Sequence, residues 1–482
     1  MGSCCYPARF VPNKNLTLKL GEIVKRLTNH LRRIWEQLRG SLWFIPSLAM
    51  LAAIALAAAM VTLDRTIGPE LISKVPLVFE AGPEGARQVL STIAGSVLTV
   101  SGVVFSFTIL AFSLASSQYS PRILYNFMED RTNQIVLGVL LGSFVYCLLV
   151  LRTVKLEDSS IVSTTFVPSL SVTAAILLAL LDLGLFIFYL HHIATSITAY
   201  HIINRVGEVA LSSVEHTFTE EPAPQEHSTA LTERPAPNFT EAVRATAAGY
   251  LQEIDLESLA RLAAQHNSLV EVSRRVGDFV TDGKLLARLA VPQPLSQEAR
   301  SHFIDAFVLG ARRTQQHDPL FALTQLCDVA LKALSPGIND PTTALMCLDQ
   351  IERVLSRAAT LHSPTRVQCD SSGAQRVFSY AVSFSELADQ AFQGIRHYGV
   401  AEASDVRLAC KLLEVMAAIA EQTADMAHHA VLYSHAFAVV DAADRALVAP
   451  ADRTMLNSTL ASLSEGSLPP NWELPPLKVS QG

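Results

Sequence analysis

Four long apolar runs occupy the first two hundred positions, and the second, RQVLSTIAGSVLTVSGVVFSFTILAFSLASSQYSP over 87–121, organises the rest. No charge stands between Arg87 and Arg122, yet small and hydroxylated residues interrupt the run at a regular step. Ser91, Gly95, Thr99, Gly102, Ser106, Ser113 and Ser117 recur at intervals of three, four or seven and so share one stripe of a helix. Val, Leu, Ile and Phe fill its other faces. At about 1.5 Å per residue this helix extends roughly 48 Å, against a bilayer core of about 30 Å. It is expected to cross a membrane and project beyond it, stopping at Pro121. The stripe has two readings. Small residues let membrane helices approach closely, and the same residues can line a pore or a water-filled cavity.

The other runs predict spans at about 42–63, 133–151 and 166–192. Ala49, Ala53 and Ala57 lie on one face of the first, and Gly138 and Gly142 form a GxxxG pair in the third, suited to close helix contact. Ahead of them, residues 14–39 alternate Leu and Ile at helical spacing with basic residues elsewhere, a basic amphipathic helix suited to an anionic leaflet. The segment 1–40 carries eight Lys/Arg against Glu22 and Glu36, a net +6 that places it in the cytoplasm by the positive-inside rule. Four crossings return the C-terminal part to the same side. The expected organisation is thus a basic segment 1–40, a four-helix transmembrane domain 41–192, and a post-membrane helix and linker 193–238.

Beyond the linker the period changes. GYLQEID (249–255) and VEVSRRVGDFVTDGKLLARLAVP (270–292) show short alternating runs around Gly277 and Gly283, which predict a small β-rich subdomain at 239–292. Helical spacing returns over 293–445, with a break at 363–376, and the Ser- and Pro-containing end, 446–482, is expected to be a flexible tail. The fold class is a membrane α-helical domain of four transmembrane helices plus a cytoplasmic α+β region.

Composition supports this. Half the residues are hydrophobic and 17% are charged. The net charge of −7 leaves −13 outside the basic segment, a poor balance for binding nucleic acid. The seven cysteines show no CxxC and no metal-type pairing. No phosphate-cradling GxxxxGK[ST], nucleophile elbow or HExxH occurs, so no cofactor, metal or enzymatic activity is expected.

The candidate sites are few. Asp182 sits near the middle of the fourth span, where a carboxylate is costly and is therefore a functional candidate, with acceptance of hydrogen bonds from a neighbouring helix as the plain alternative. His191 and His192 end that span, as interfacial anchors beside Tyr189 or as pH sensors. In KALSPGINDPTTALMCLDQI (332–351), Gly337 suits a helix C-terminus, Asp340 an N-cap and Pro341 a first turn, which leaves Asn339 unassigned. A ligand site at Asn339 and Asp340 is the functional alternative. Glu421, Asp425 and His429 fall at i, i+4 and i+8, a spacing open to a solvated helix face or a metal site.

GDFVTDGKLLARL resembles the turn-and-strand segment of barrel-sandwich hybrid domains in shape only, since no Lys stands between Lys155 and Lys284 to act as a carrier's acceptor. More specifically, SGVVFSFTILAFSLASSQYSPRILYNFMEDR (101–131), FIFYLHHIATSI (186–197), GYLQEID with GDFVTDG, and ALSPGINDPTTA (333–344) together resemble a bacterial family of predicted membrane proteins, domain of unknown function 2254. The resemblance covers roughly 40–445 and implies a protein of the bacterial inner membrane, without supplying an activity, substrate or catalytic residue. The functional expectation is a homo-oligomeric channel or transport-type protein in membrane lipid, handling an ion or small ligand and regulated by its cytoplasmic region. A membrane-anchored sensor or scaffold without a permeation path is the alternative.

Overall fold

The computed structural model describes residues 43–66, 82–119, 130–154, 167–220, 239–364, 367–466, 469 and 472–478. The basic N-terminal segment, most of the Arg122–Arg131 loop and the linker after Glu220 lie outside the described residues. The chain divides into two compact units. One contains the described residues up to Ala115 and from Asp130 to Ile197; the other contains the short stretch from Ser116 and everything from Thr198 onward.

The first unit is built from α1 (Phe44–Thr66), α2 (Pro83–Gln118, apart from its last residues), α3 (Arg131–Leu151) and α4 (Ser169–Ser196). All four are long and apolar enough to cross a membrane. The GxxxG pair seats α3 against α1. A Cβ on Gly138 would lie 3.0 Å from Ala49 Cβ and 3.1 Å from Pro46 Cα, and one on Gly142 would lie 3.3 Å from the Ala49 carbonyl oxygen. Ala49 and Ala53 supply the opposing small surface. Two apolar clusters fill the interior, one around Leu90, Tyr146 and Val172, the other around Val104, Leu140 and Tyr189.

One buried carboxylate locks the unit together. Asp64, near the end of α1 and 7% exposed, accepts the backbone N–H groups of Leu170 and Ser171, each at 2.9 Å, and the Ser171 hydroxyl at 2.5 Å. It therefore caps the N-terminus of α4 from another helix, where orphan N–H groups and the helix dipole favour a negative charge. The Tyr146 hydroxyl on α3 donates to the Ser171 carbonyl at 3.0 Å, bringing a third helix to the same point.

The second unit opens with α5 (Ala199–Thr217), which buries Ile202, Ile203, Val206, Ala210 and Val214. A β-rich part follows: β1 (Glu241–Arg244), β2 (Gly249–Ile254), α6 (Leu256–Gln265), β3 (Leu269–Val272), β4 (Phe279–Val280), β5 (Leu285–Ala290), α7 (Gln297–Asp305) and β6 (Phe307–Gly310). Next come α8 (Pro319–Ala333), α9 (Pro341–Thr360), β7 (Val367–Cys369) and β8 (Gln375–Phe378). The helical end comprises α10 (Phe384–Ile395), a π-helical turn over Arg396–Glu402, α11 (Val406–Glu421), α12 (Met426–Ala446) and α13 (Pro450–Gly466).

The strands form a five-stranded sheet in the order β1-β5-β3-β8-β7 and a three-stranded sheet in the order β4-β2-β6. Two expected boundaries change here. The β-rich part does not end at 292, because β6 pairs with β2 and β8 joins β3 in parallel, with Val270 opposite Val377. The break seen at 363–376 in the helical pattern is where β7 and β8 return to that sheet, and Val377 enters its core beside Leu251, Leu286 and Phe303. Nor is 446–482 a flexible tail throughout. Residues Pro450–Gly466 are helical, and beyond them Trp472 and Leu477 are buried. Asn457 binds the Leu477 backbone on both sides, donating to its carbonyl at 2.8 Å and accepting its N–H at 2.7 Å. The Tyr433 hydroxyl donates to the Glu473 carbonyl at 3.0 Å. A Ser- and Pro-rich composition conceals this, because two buried anchors and two backbone-binding side chains hold a segment that has no periodicity.

Candidate functional site

The stripe of α2 is the exposed face of that helix. Ser91, Gly95, Thr99, Gly102, Ser106, Ser113 and Ser117 are all exposed in the single chain. The buried face is a different one: Ala86, Leu90, Ala94, Val97, Ser101, Val104, Thr108, Ala111 and Ala115, again at steps of three and four. Among the described residues, packing does not use the stripe from Ser91 to Ser113, and a Cβ built on Gly95 or Gly102 would meet nothing within 4 Å. Two stripe hydroxyls bond within their own helix, Thr99 to the Gly95 carbonyl at 2.9 Å and Ser106 to the Gly102 carbonyl at 2.8 Å. This back-bonding to the i−4 carbonyl satisfies the hydroxyls within the helix, while Leu98, Phe105 and Ile109 stand exposed on or beside the stripe.

Asp182 lies elsewhere. It is 3% exposed, on the face of α4 that also buries Ser171, Ala175, Tyr189 and Ile193. Ser143 of α3 donates its hydroxyl to Asp182 Oδ1 at 3.1 Å, while Oδ2 is buried without a hydrogen-bond partner. The structure thus separates the two membrane candidates: the stripe is outward on α2 and Asp182 is inward on the α3–α4 contact.

His192 pairs with Asp130, Nε2 to Oδ2 at 3.1 Å, and its ring stacks on Phe188. Asp130 also caps α3 by accepting the Thr132 N–H at 2.9 Å. His191 is exposed and faces away from this pair. Tyr189, one turn earlier on α4, is buried and donates to the Val104 carbonyl, with the Thr108 hydroxyl at 2.6 Å. Two charged residues that sequence reasoning passed over, Asp64 and Asp130, are thus the structural carboxylates of the helical unit. Their signal was their place at the ends of apolar runs, where helix termini need partners.

In the second unit, Asp340 is the N-cap of α9. It accepts the Thr343 N–H at 3.2 Å and the Thr343 hydroxyl at 2.5 Å. Asn339 receives its explanation: its φ is +49, so it supplies the left-handed turn between α8 and α9. Gly337, expected to close α8, has no positive φ; the turn is closed instead by Asn339 N–H to the Ser335 carbonyl and Asp340 N–H to the Ala333 carbonyl. Tyr119, from the SQYSP end of the organising stretch, belongs to this unit, and burial first, then the charge of Asp340, push its hydroxyl above the usual phenol range. The folded unit therefore brings Tyr119 within electrostatic reach of Asp340, about two hundred residues further along the chain.

Side chains join α5 to α9 along their length. Gln350 donates to Asn204 at 2.9 Å, Arg353 to Glu208 at 2.7 Å and Arg357 to Glu215 at 3.0 Å. Gly207 lets Gln350 approach the α5 backbone, since a Cβ there would stand 2.4 Å from Gln350 Oε1. The spacing of Glu421, Asp425 and His429 does not form one helical face. Glu421 ends α11, Asp425 caps α12, and His429 Nε2 bonds the Thr423 carbonyl at 2.9 Å. Among the described residues no group of three His, Cys, Asp or Glu side chains is placed to hold a metal ion.

These features define a class: a protein with four helices long and apolar enough to cross a membrane, continuous with a larger unit of mixed helix and sheet. The chain belongs to the family described as predicted membrane protein (DUF2254), which it matches over residues 39–418. It is 30% identical over 457 residues to an uncharacterised protein of Mycobacterium bovis, a match covering 93% of this chain and 85% of that protein. Uncharacterised proteins from two strains of Mycobacterium tuberculosis match at the same identity and coverage. No solved structure matches. The family match includes the stripe, Asp182, Asn339 and Asp340.

Proposed function

We propose that the protein is a homo-oligomeric channel or transport-type protein of the bacterial inner membrane, regulated by its second unit. The observation that carries this reading is the uncovered stripe of α2. A helix whose small and hydroxylated face is left open by its own chain, while its opposite face supplies the intrachain packing, is suited to meet other copies of itself or water. Both chain ends lie on the cytoplasmic side in this reading, given the net +6 of residues 1–40 and the even number of apolar helices. The permeant species is an ion or small polar solute, and no enzymatic or nucleic-acid-binding role enters. The second reading, an anchored sensor or scaffold, draws support from the back-bonded hydroxyls of Thr99 and Ser106, which a lipid environment would tolerate.

The test is cysteine substitution at positions 99, 106 and 113, in a chain with Cys4, Cys5 and the exposed Cys369 replaced by Ser, probed with a membrane-impermeant thiol reagent. The four other native thiols, Cys147, Cys327, Cys347 and Cys410, are buried. Labelling in reconstituted vesicles, together with solute flux that the reagent blocks, is the expected result. Unreactive cysteines and flux no greater than in empty vesicles would hand the case to the scaffold.

A further inference from the structure

We propose that Asp182, oriented by Ser143, is a proton-binding site inside the helical unit, loaded at neutral pH in the conformation described here. The argument rests on what the carboxyl group lacks. An ionised carboxylate offers about four acceptor positions and is held in low-dielectric surroundings only where donors or cations converge on it. Asp64, in the same unit, shows the satisfied case with three donors at 2.5 to 2.9 Å. Asp182 receives one, from Ser143, and its Oδ2 is buried with none.

Among the described residues no cation offsets it. The other charged or imidazole side chains of the four helices, Asp64, Arg65, Glu84, Arg87, Arg131, His191 and His192, all lie within two turns of a helix end. The neighbours narrow the occupant further. On α3, Tyr146 and Cys147 lie one turn beyond Ser143 and are the titratable side chains buried there, the Tyr146 hydroxyl being bonded to the Ser171 carbonyl. On α4, Tyr189 is two turns away, with its hydroxyl already bonded to Val104 and Thr108. α2 carries no charge between Arg87 and Gln118, and α1 carries none before Asp64. A hard cation such as Ca2+ or Mg2+ takes about six or more oxygen ligands. Here the carboxyl group and one hydroxyl are the oxygens in evidence, and Leu178 and Leu185, one turn to either side on α4, pack into the apolar clusters. A proton needs no such cage. It removes the charge, and it makes Oδ2 a donor that can bond a helix carbonyl as the serine and threonine hydroxyls of this unit do. The site stands apart from the stripe, so the inference goes beyond the channel reading and holds whether or not the stripe lines a path.

The test uses the full chain in lipid vesicles and infrared spectroscopy. At neutral pH the wild type is expected to show a carboxylic-acid C=O band, in a region where exposed carboxylates do not absorb. Asp182→Asn should remove it, and Ser143→Ala should move it to higher frequency, because Oδ1 loses its hydrogen bond. No acid band at neutral pH, or a band that Asp182→Asn leaves unchanged, would overturn the proposal. So would a band that disappears on adding sodium or potassium at constant pH, since that assigns the site to a metal cation. Should Asp182→Asn fail to fold, the wild type supplies the second arm. An apolar carbodiimide, whose reaction consumes the acid's proton, should modify Asp182 at neutral pH, as read by mass spectrometry, and progressively less as the pH is raised. Modification that does not fall with rising pH, or none at any pH, counts against a resident proton. Neither arm reads flux, so this proposal and the channel reading fail separately.

Discussion

Asp64 and Asp182 are two carboxylates of one helical unit with opposite surroundings, and the difference lies in their donors. Asp64 meets a helix N-terminus, which offers N–H groups that have no other partner. Asp182 meets the side of a helix, whose backbone groups are already spent on each other. Sequence spacing located Asp182 because it interrupts an apolar run, and it missed Asp64 because a charge at the end of such a run looks like ordinary interface. His435 carries a different consequence at this scale. It packs against Phe392 with Asp389 at 3.2 Å, and burial lowers its basicity below the ordinary value of 6.5, an effect that Asp389 partly offsets. Arg396 opposes protonation as well. His428, against Phe384, is shifted the same way, again chiefly by burial. Because the folded state binds these protons less readily than the unfolded chain, stability falls as pH drops below about 6.5. The unfolding temperature of the wild type should therefore decline more steeply from pH 7 to 5 than that of His435→Gln. Parallel declines would show that His435 is not responsible.

Two glycine pairs separate the roles of the helices that carry them. Gly138 and Gly142 of α3 have a neighbouring helix within 3.0 to 3.4 Å of where a Cβ would stand, whereas Gly95 and Gly102 of α2 have nothing within 4 Å. Gly142→Leu forces atoms into a filled contact and should destabilise the chain by about 1–3 kcal/mol. Gly102→Leu should leave monomer unfolding in detergent unchanged and, if copies meet through the stripe as proposed, weaken their self-association, which crosslinking in vesicles would read. If Gly102→Leu instead destabilised the monomer, the stripe would be an intrachain packing face after all. The GxxxG pairing was legible in the sequence because two glycines a turn apart suit one neighbour. The direction of the stripe was not legible, because helical periodicity says which residues share a face and not which face the rest of the chain covers. In the second unit the β7–β8 pair shows the same limit. Its residues lie about a hundred positions from β3, so no local pattern could announce the parallel pairing of Val270 with Val377.

At the scale of the whole molecule, the end of the chain is part of the second unit. Trp472 is 6% exposed, and its ring meets Tyr433 at 5.7 Å, while Arg453 donates to the Lys478 carbonyl at 2.8 Å. Truncating a buried Trp costs about 3–5 kcal/mol of local packing. Trp472→Ala should therefore speed proteolytic cleavage beyond Gly466 while leaving the unfolding of the helical core nearly unchanged. Equal cleavage rates in wild type and variant would show that Trp472 does not anchor the segment. Legible along the chain were the four apolar helices, a GxxxG face on the third suited to close contact, the cap at Asp340 and the change from helical to alternating period near 240. Each of these depends on residues within a few turns of one another, where local geometry and side-chain type suffice. Tertiary contacts turn the stripe outward, let Asp64 cap a helix from another, set Tyr119 within reach of the Asp340 charge and leave Asp182 with a single donor. These depend on which distant segments arrive at the same place, and hydrogen-bond satisfaction is counted there rather than along the chain.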